Sequence, residues 1–207
     1  MIEPRTLEQM LEHDPLAPVQ SAIVATLRQH LAGITIEKHP GKVDISELVK
    51  KAVVRAPGIG VGWSRVRETF LMDGASCFAV EWVAYVVAEA KAIAGKRREK
   101  EEVGLAIGSH VLSILADPNV SLWGRTGVLP IEEKPGAELK PFFTIKDAEQ
   151  GTAYYVVTWS QIVADLTPSI FPADIGQVSN DLTAVHYGDP ASIDKIRPWI
   201  VMGDDDA

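Results

Sequence analysis

Few residues in this chain are placed to do chemistry, and those few are scattered. The five histidines, His13, His30, His39, His110 and His186, show neither HxH nor HxxxH spacing, and Cys77 is the one cysteine. Structural zinc sites draw four Cys or His ligands from short, clustered spacings, so no metal ligand is expected. Gly58-x-Gly60-x-Gly62 points toward a phosphate loop. The dinucleotide fingerprint, however, needs its third glycine later, a strand before it and a helix after it. Here a helix precedes and a strand follows, so the glycines are expected to admit a neighbouring backbone or a large side chain. No serine sits in a GxSxG elbow, and Glu132-Glu133 falls in a polar, solvated loop. His110 lies in an apolar helical stripe, which predicts a satisfied core or interface histidine. Cys77 lies on a core strand as inert filling. No catalytic residue, cofactor-binding residue or cofactor is expected, and the chain does not read as an enzyme.

The elements that must carry any function are organised around Ser76–Glu89. This stretch is too β-branched and aromatic for a comfortable helix and too short for a membrane span. As a strand it places Phe78, Val80, Trp82, Ala84 and Val86 on one face and Ala79, Glu81, Val83, Tyr85 and Val87 on the other. Both faces are mainly apolar, so it should be covered on both sides, with Glu81 needing a partner or an exit to water. Thr152–Val163 has the same two-faced character and is expected beside it in one sheet.

In chain order, Leu7, Met10 and Leu11 mark a short helical lead-in, broken by Asp14-Pro15 and Pro18. A helix follows over Val19–Leu31, then a short strand that begins at Ile34-Thr35-Ile36 and ends at Pro40-Gly41. Asp44-Ile-Ser-Glu47 reads as a capping box opening another helix. Gly58–Arg67 follows as a strand with Ile59, Val61 and Trp63 on one face, and Asp73-Gly74 punctuates a hairpin into Ser76. Lys91–Lys100 reads as a solvated loop and helix start. The helix itself covers about Arg97–Ala116, and shorter strands are expected at Leu122–Leu129 and Ala137–Ile145. The order of elements predicts an α+β fold, a mixed or antiparallel sheet flanked by helices. Residues 1–16 form a lead-in, 17–165 the domain, and 166–207 an irregular C-terminal arm rich in proline. Within that arm Trp199, Ile200 and Phe171 stand out as apolar anchors for a neighbouring subunit or partner.

Composition sets further bounds. The 207 residues carry a formal charge of −8, which disfavours wrapping phosphate backbones, because such binding rests on neutralising phosphates with Lys and Arg. The first 14 residues lack the apolar core of a signal peptide, and no apolar run approaches the ~20 residues a membrane span requires.

The succession AIVATLRQHLAG, ITIEKHPG, APGIGVGW before a long apolar strand, then a helix and the closing strand AYYVVTWSQIV, resembles a Mu-like phage tail protein family. More broadly, it is similar to the tail terminators of long-tailed phages, over about residues 17–165. The resemblance implies a virion protein made in the host bacterial cytoplasm and assembled as a homo-hexameric ring. Such a ring caps the tail tube, stops its polymerisation and offers a docking surface to the head–tail connector or neck protein. In a contractile tail it also meets the sheath protein. DNA would pass through without specific binding, which suits an acidic subunit. Another head–tail joining protein, or a small-ligand-binding or enzymatic α+β domain, stays open as an alternative.

Truncation after Asp165 separates two roles for the arm. If the arm packs on a neighbour through Trp199, the shortened chain stays folded and loses only ring stability or tail joining. Early melting or insolubility would instead place the arm in the subunit's own core.

Overall fold

The computed structural model describes residues 4–41, 53–72, 74–143 and 151–166. The elements below belong to one compact unit, Leu7–Thr167; Met1–Thr6 and Pro168–Ala207 make up a second. The capping box at Asp44–Glu47 and the arm residues Phe171, Trp199 and Ile200 lie outside the described residues, as does Asp73.

Among the described residues three helices, α1 (Leu7–Glu12), α2 (Leu16–His30) and α3 (Lys100–Ala116), accompany eight strands. The strands are β1 (Thr35–Lys38), β2 (Gly58–Met72), β3 (Ala75–Glu89), β4 (Lys91–Ile93), β5 (Lys96–Arg98), β6 (Val128–Ile131), β7 (Glu138–Phe143) and β8 (Thr152–Asp165). The main sheet runs β1-β2-β3-β8-β6, with β7 also on β8. Only β1–β2 is parallel among its pairs, so the fold is α+β with a mixed sheet, as the order of elements predicted.

The two long apolar strands are antiparallel partners, paired continuously from Ser76↔Asp165 to Glu89↔Thr152. Trp82 stands opposite Trp159 at the centre of this pair. One face of the sheet carries Val80, Trp82, Ala84, Val86, Tyr155, Val157 and Trp159, buried under Val19, Ile23 and Leu27 of α2 and Val103, Ile107, Val111 and Leu115 of α3. The opposite face buries Val83, Tyr85, Val87, Tyr154 and Val156 under Val53, Val54 and Ala56. Phe142 and His39 complete this cover, with ring centroids 5.4 and 5.2 Å from Tyr85. Among the described residues, α2 and α3 pack on the first face, and the segment 53–56 covers the second.

The glycines of β2 make that second cover possible. A Cβ at Gly58 would lie 2.8 Å from the Thr35 carbonyl, and one at Gly62 would lie 3.2 Å from the Gly41 Cα and the His39 carbonyl. They admit neighbouring backbone, as their sequence context suggested, while Ile59 and Val61 fill the helical face.

Local signals explain most of the remaining elements and several departures. α2 begins at Leu16, earlier than expected, because Asp14 accepts hydrogen bonds from the Leu16 and Ala17 amides at 2.9 and 3.1 Å. Pro18 falls in its first turn, where a missing N–H costs nothing. Lys91–Arg98 is a hairpin rather than a loop. Ala94 and Gly95 both take positive φ (50° and 75°), the two-residue turn whose twist matches paired strands. The strand expected over Leu122–Leu129 is mostly turn, with regular structure only from Val128. Consecutive left-handed residues at Trp123 and Gly124 (φ 58° and 62°) break it.

On α3 the buried stripe is Val103, Gly104, Ile107, Gly108, Val111 and Leu115, and His110 is exposed rather than in the core. Its Nδ1 lies 2.9 Å from the Ala106 carbonyl oxygen, a bond within its own helix. The two glycines let α3 approach β7 and β8. A Cβ at Gly104 would run into the Tyr155 ring, with Cδ2 at 2.6 Å, and one at Gly108 would meet the Leu139 methyls at 2.7 and 2.8 Å.

These contacts set three stability changes, read by denaturant unfolding. Trp82→Ala should cost about 3–5 kcal/mol, the range for removing a large aromatic side chain from a packed core. Gly104→Ala gains about 1 kcal/mol of helix propensity but forces the buried Tyr155 ring to move, at about 1–3 kcal/mol, so the variant should be less stable. Gly108→Ala should change stability by less than about 1 kcal/mol, because a leucine end rotates away more readily than a ring.

Candidate interaction surface

Outside the two buried faces of the sheet, several surfaces could meet another molecule. The outer edge of β2 is one of them. β1 pairs with β2 only over Gly58–Val61, so among the described residues no strand pairs with the outer edge of β2 from Gly62 to Met72. Two bulges, between Trp63 and Arg65 and between Val66 and Glu68, kink this edge. Bulges and edge charges are the usual guards against indiscriminate strand pairing, and Arg65, Arg67 and Glu68 supply the charges. Leu71 near the tip is 71% exposed and Trp63 at the first bulge 43%. Trp63 thus shares the face of Ile59 and Val61, beside Val80, Trp82 and Gln20, but lies partly in solvent.

The charged residues of this half are organised. Glu81, the polar exception on β3, has a partner in Arg65, its register neighbour on β2, at Nε–Oε2 2.5 Å. Arg67 donates from Nη2 to both carboxylate oxygens of Glu132 at 2.8 and 2.9 Å. In the sheet order β3 and β8 separate these two residues, so the pair spans the central strands. Glu132 is thus engaged rather than only solvated.

A second feature is internal. Gln161, fully buried, accepts a hydrogen bond from Trp123 Nε1 at 2.8 Å and donates to the Ser121 and Leu129 carbonyls at 2.8 and 2.7 Å. It fastens the turn segment 117–131 to β8, and Trp123 packs its ring 6.2 Å from that of Trp159. This is a structural clamp.

A hollow of about 480 Å³ opens on the second face, lined by Glu37, Val53, Val54, Arg55, Ala56, Val87, Glu89 and Thr152. Its volume would suit a small molecule. Its polar groups do not converge on one point: Glu37 and Arg55 are exposed, and Thr152 Oγ1 is already turned to Glu89 Oε1 at 3.5 Å. A smaller hollow of about 230 Å³ lies between the start of α2 and the sheet, lined by Asp14, Leu16, Ala17, Gln20, Trp63, Val80 and Trp82. Among the described residues no three His, Cys, Asp or Glu side chains stand close enough to hold a metal ion. Cys77 is buried, on a core strand as expected.

Two further surfaces expose apolar side chains beside charge. α1 buries none of its residues, leaving Leu7, Met10 and Leu11 in solvent. The β4–β5 hairpin is exposed throughout, with Ile93 beside its turn. No helix among the described residues is long and apolar enough to cross a membrane. Neither the protein-family models nor the curated proteins compared with this chain match it.

The tyrosines beneath α3 and beside the larger hollow give a pH test. Burial first, and then the Glu101 carboxylate, raises the Tyr155 pKa above 10; burial and Glu89 do the same for Tyr154. The folded state therefore holds both phenols neutral. That contribution to stability is full below the unfolded pKa of about 10 and is lost as pH rises through the higher folded values. Melting temperature should fall as pH passes 10, and Tyr155→Phe should fall less steeply over the same interval. Parallel slopes would show that Tyr155 ionises as freely in the folded chain as in the unfolded one.

Proposed function

We propose that this chain is a structural subunit of a phage tail, a tail terminator whose ring caps the tube and receives the neck. One observation carries the reading. Among the described residues both faces of the sheet are buried, yet large apolar side chains stand outward at three places: Leu7 and Leu11 on α1, Leu71 near the β2–β3 turn and Ile93 on the β4–β5 hairpin. Exposed apolar groups framed by charge mark surfaces that meet other proteins. The α+β order of elements agrees with the resemblance in sequence, and the net charge of −8 per subunit suits a conduit through which DNA slides. The ring would be a homo-hexamer in the virion, with the tube protein, the sheath protein of a contractile tail and the connector as its neighbours.

The test is a tube-assembly reaction. Purified tube protein polymerised with this chain should give tubes of limited length bearing an extra ring of density at one end in negative-stain images. Duplex DNA should show negligible binding at physiological salt. Tubes of unrestricted length with bare ends, or a salt-sensitive sub-micromolar affinity for DNA, would contradict the reading.

A further inference from the structure

We infer that α1 of one copy and the β4–β5 hairpin of a second copy are complementary halves of a head-to-tail subunit contact. The closure of this contact into a ring rests on the terminator reading above; the pairing does not.

Each half has a matched composition. In the hairpin, Lys91 stands opposite Arg98 and Ile93 opposite Lys96, and paired residues with alternate neighbours share one face of a ribbon. That face is therefore one isoleucine framed by three cations, on a chain that is acidic as a whole. In α1, Leu7, Met10 and Leu11 fall at i, i+3 and i+4 and form a ridge, while Glu8 and Glu12 form a carboxylate row beside it. Asp14 is occupied in capping α2. An apolar ridge with anions thus matches an apolar tip with cations.

Both halves are also incomplete alone. Like charges at i and i+4 of a helix, and like charges directly opposite on paired strands, repel. Glu8–Glu12 is such a pair in α1, and Lys91–Arg98 is such a pair in the hairpin. Arg97 and Arg98 are partly compensated by Glu99 and Glu102, but Lys91, Lys96, Glu8 and Glu12 have no ion pair among the described residues. A six-residue helix and a two-stranded ribbon are both marginal without a surface to lie on. Opposite charge from another copy relieves each repulsion and supplies each surface.

The two halves sit apart within one copy. α2 separates them: its first turn lies by Trp63 and Trp82, midway along β2–β3. It leads into β1, whose first residue pairs with Gly58, itself opposite Val87. The β4–β5 hairpin leaves β3 just beyond that point. The 15 residues of α2 correspond to roughly 22 Å. Two different patches, one at each end of α2, join copies heterologously, the geometry that closes into rings.

Reciprocal charge reversal tests the pairing with the full chain. One variant carries Lys91→Glu and Lys96→Glu, the other Glu8→Lys and Glu12→Lys, with circular dichroism establishing that both fold. Each alone should associate at least tenfold more weakly than the unaltered chain in sedimentation velocity. An equimolar mixture should recover assembly, because the β4–β5 hairpin of each variant fits the α1 helix of the other. Association of the unaltered chain should weaken with salt. Variants that associate as well as the unaltered chain would overturn the pairing while leaving the ring reading intact. So would a mixture that fails to recover. An unaltered chain that stays monomeric at about 100 µM, a very weak affinity by any measure, also overturns it, and the tube reaction then judges the terminator reading separately.

Discussion

The antiparallel pairing of β3 with β8 is the constraint from which the rest of the fold follows. Its continuous register sets which side chains face α2 and α3 and which face residues 53–56. A slip of one residue would send every side chain of one strand to the wrong face. It would move Trp159 away from Trp82 and break both cores at once. With that register held, α2 and α3 have one surface on which their apolar stripes fit, and residues 53–56 have the other. β2 extends the sheet through glycines that leave room for neighbouring backbone, and β6 and β7 share the far edge of β8.

Burying this pair has a polar cost that the apolar area outweighs. The indole Nε1 groups of Trp82 and Trp159 are buried with no hydrogen-bond partner among the described residues. Each orphaned donor costs about 1–3 kcal/mol. A buried tryptophan hides roughly 200 Å², worth about 5 kcal/mol at ~25 cal/mol per Å², so burial wins at both positions. Gln161 shows the opposite solution a short way along the same strand. It is as deeply buried as Trp82, and its amide oxygen and nitrogen are both satisfied by the segment it anchors.

Much of this was legible in the sequence where one period ran long enough. The two-faced strands at Ser76–Glu89 and Thr152–Val163, their partnership and the helix with Ile23 and Leu27 on its buried face all followed from apolar alternation or helical spacing. Short-range backbone conformation was harder to read. Ala94-Gly95 makes a hairpin turn because an alanine accepts positive φ, a choice its type does not advertise. Trp123 does the same and ends an apparent strand. His110 shares the helical spacing of an apolar stripe, whereas close packing of Gly104 on Tyr155 and Gly108 on Leu139 turns the helix toward the glycines and leaves His110 exposed. Trp63 continues the alternation of Ile59 and Val61 but lies where a bulge and an open edge release it to solvent. The candidate interface was legible only in part: the ridge of Leu7, Met10 and Leu11 was visible as a helical spacing, while the basic segment after Glu89 gained meaning only once it proved to be a ribbon. The arm with Phe171, Trp199 and Ile200 lies beyond the described residues.

In this arrangement the β3–β8 pair is a stable spine, and α1 and the β4–β5 hairpin are marginal elements stabilised by contact with another copy. Amide hydrogen exchange followed by mass spectrometry, on the dissociated and the assembled chain, is the direct test. The slowest exchange is expected across Val80–Ala88 and Tyr154–Val163 in both states. Fast exchange is expected in α1 and β4–β5 when dissociated, with protection gained in those two elements on assembly. Central-strand amides that exchange as fast as those of α1 and β4–β5, or assembly that leaves these two elements unprotected, would contradict this arrangement.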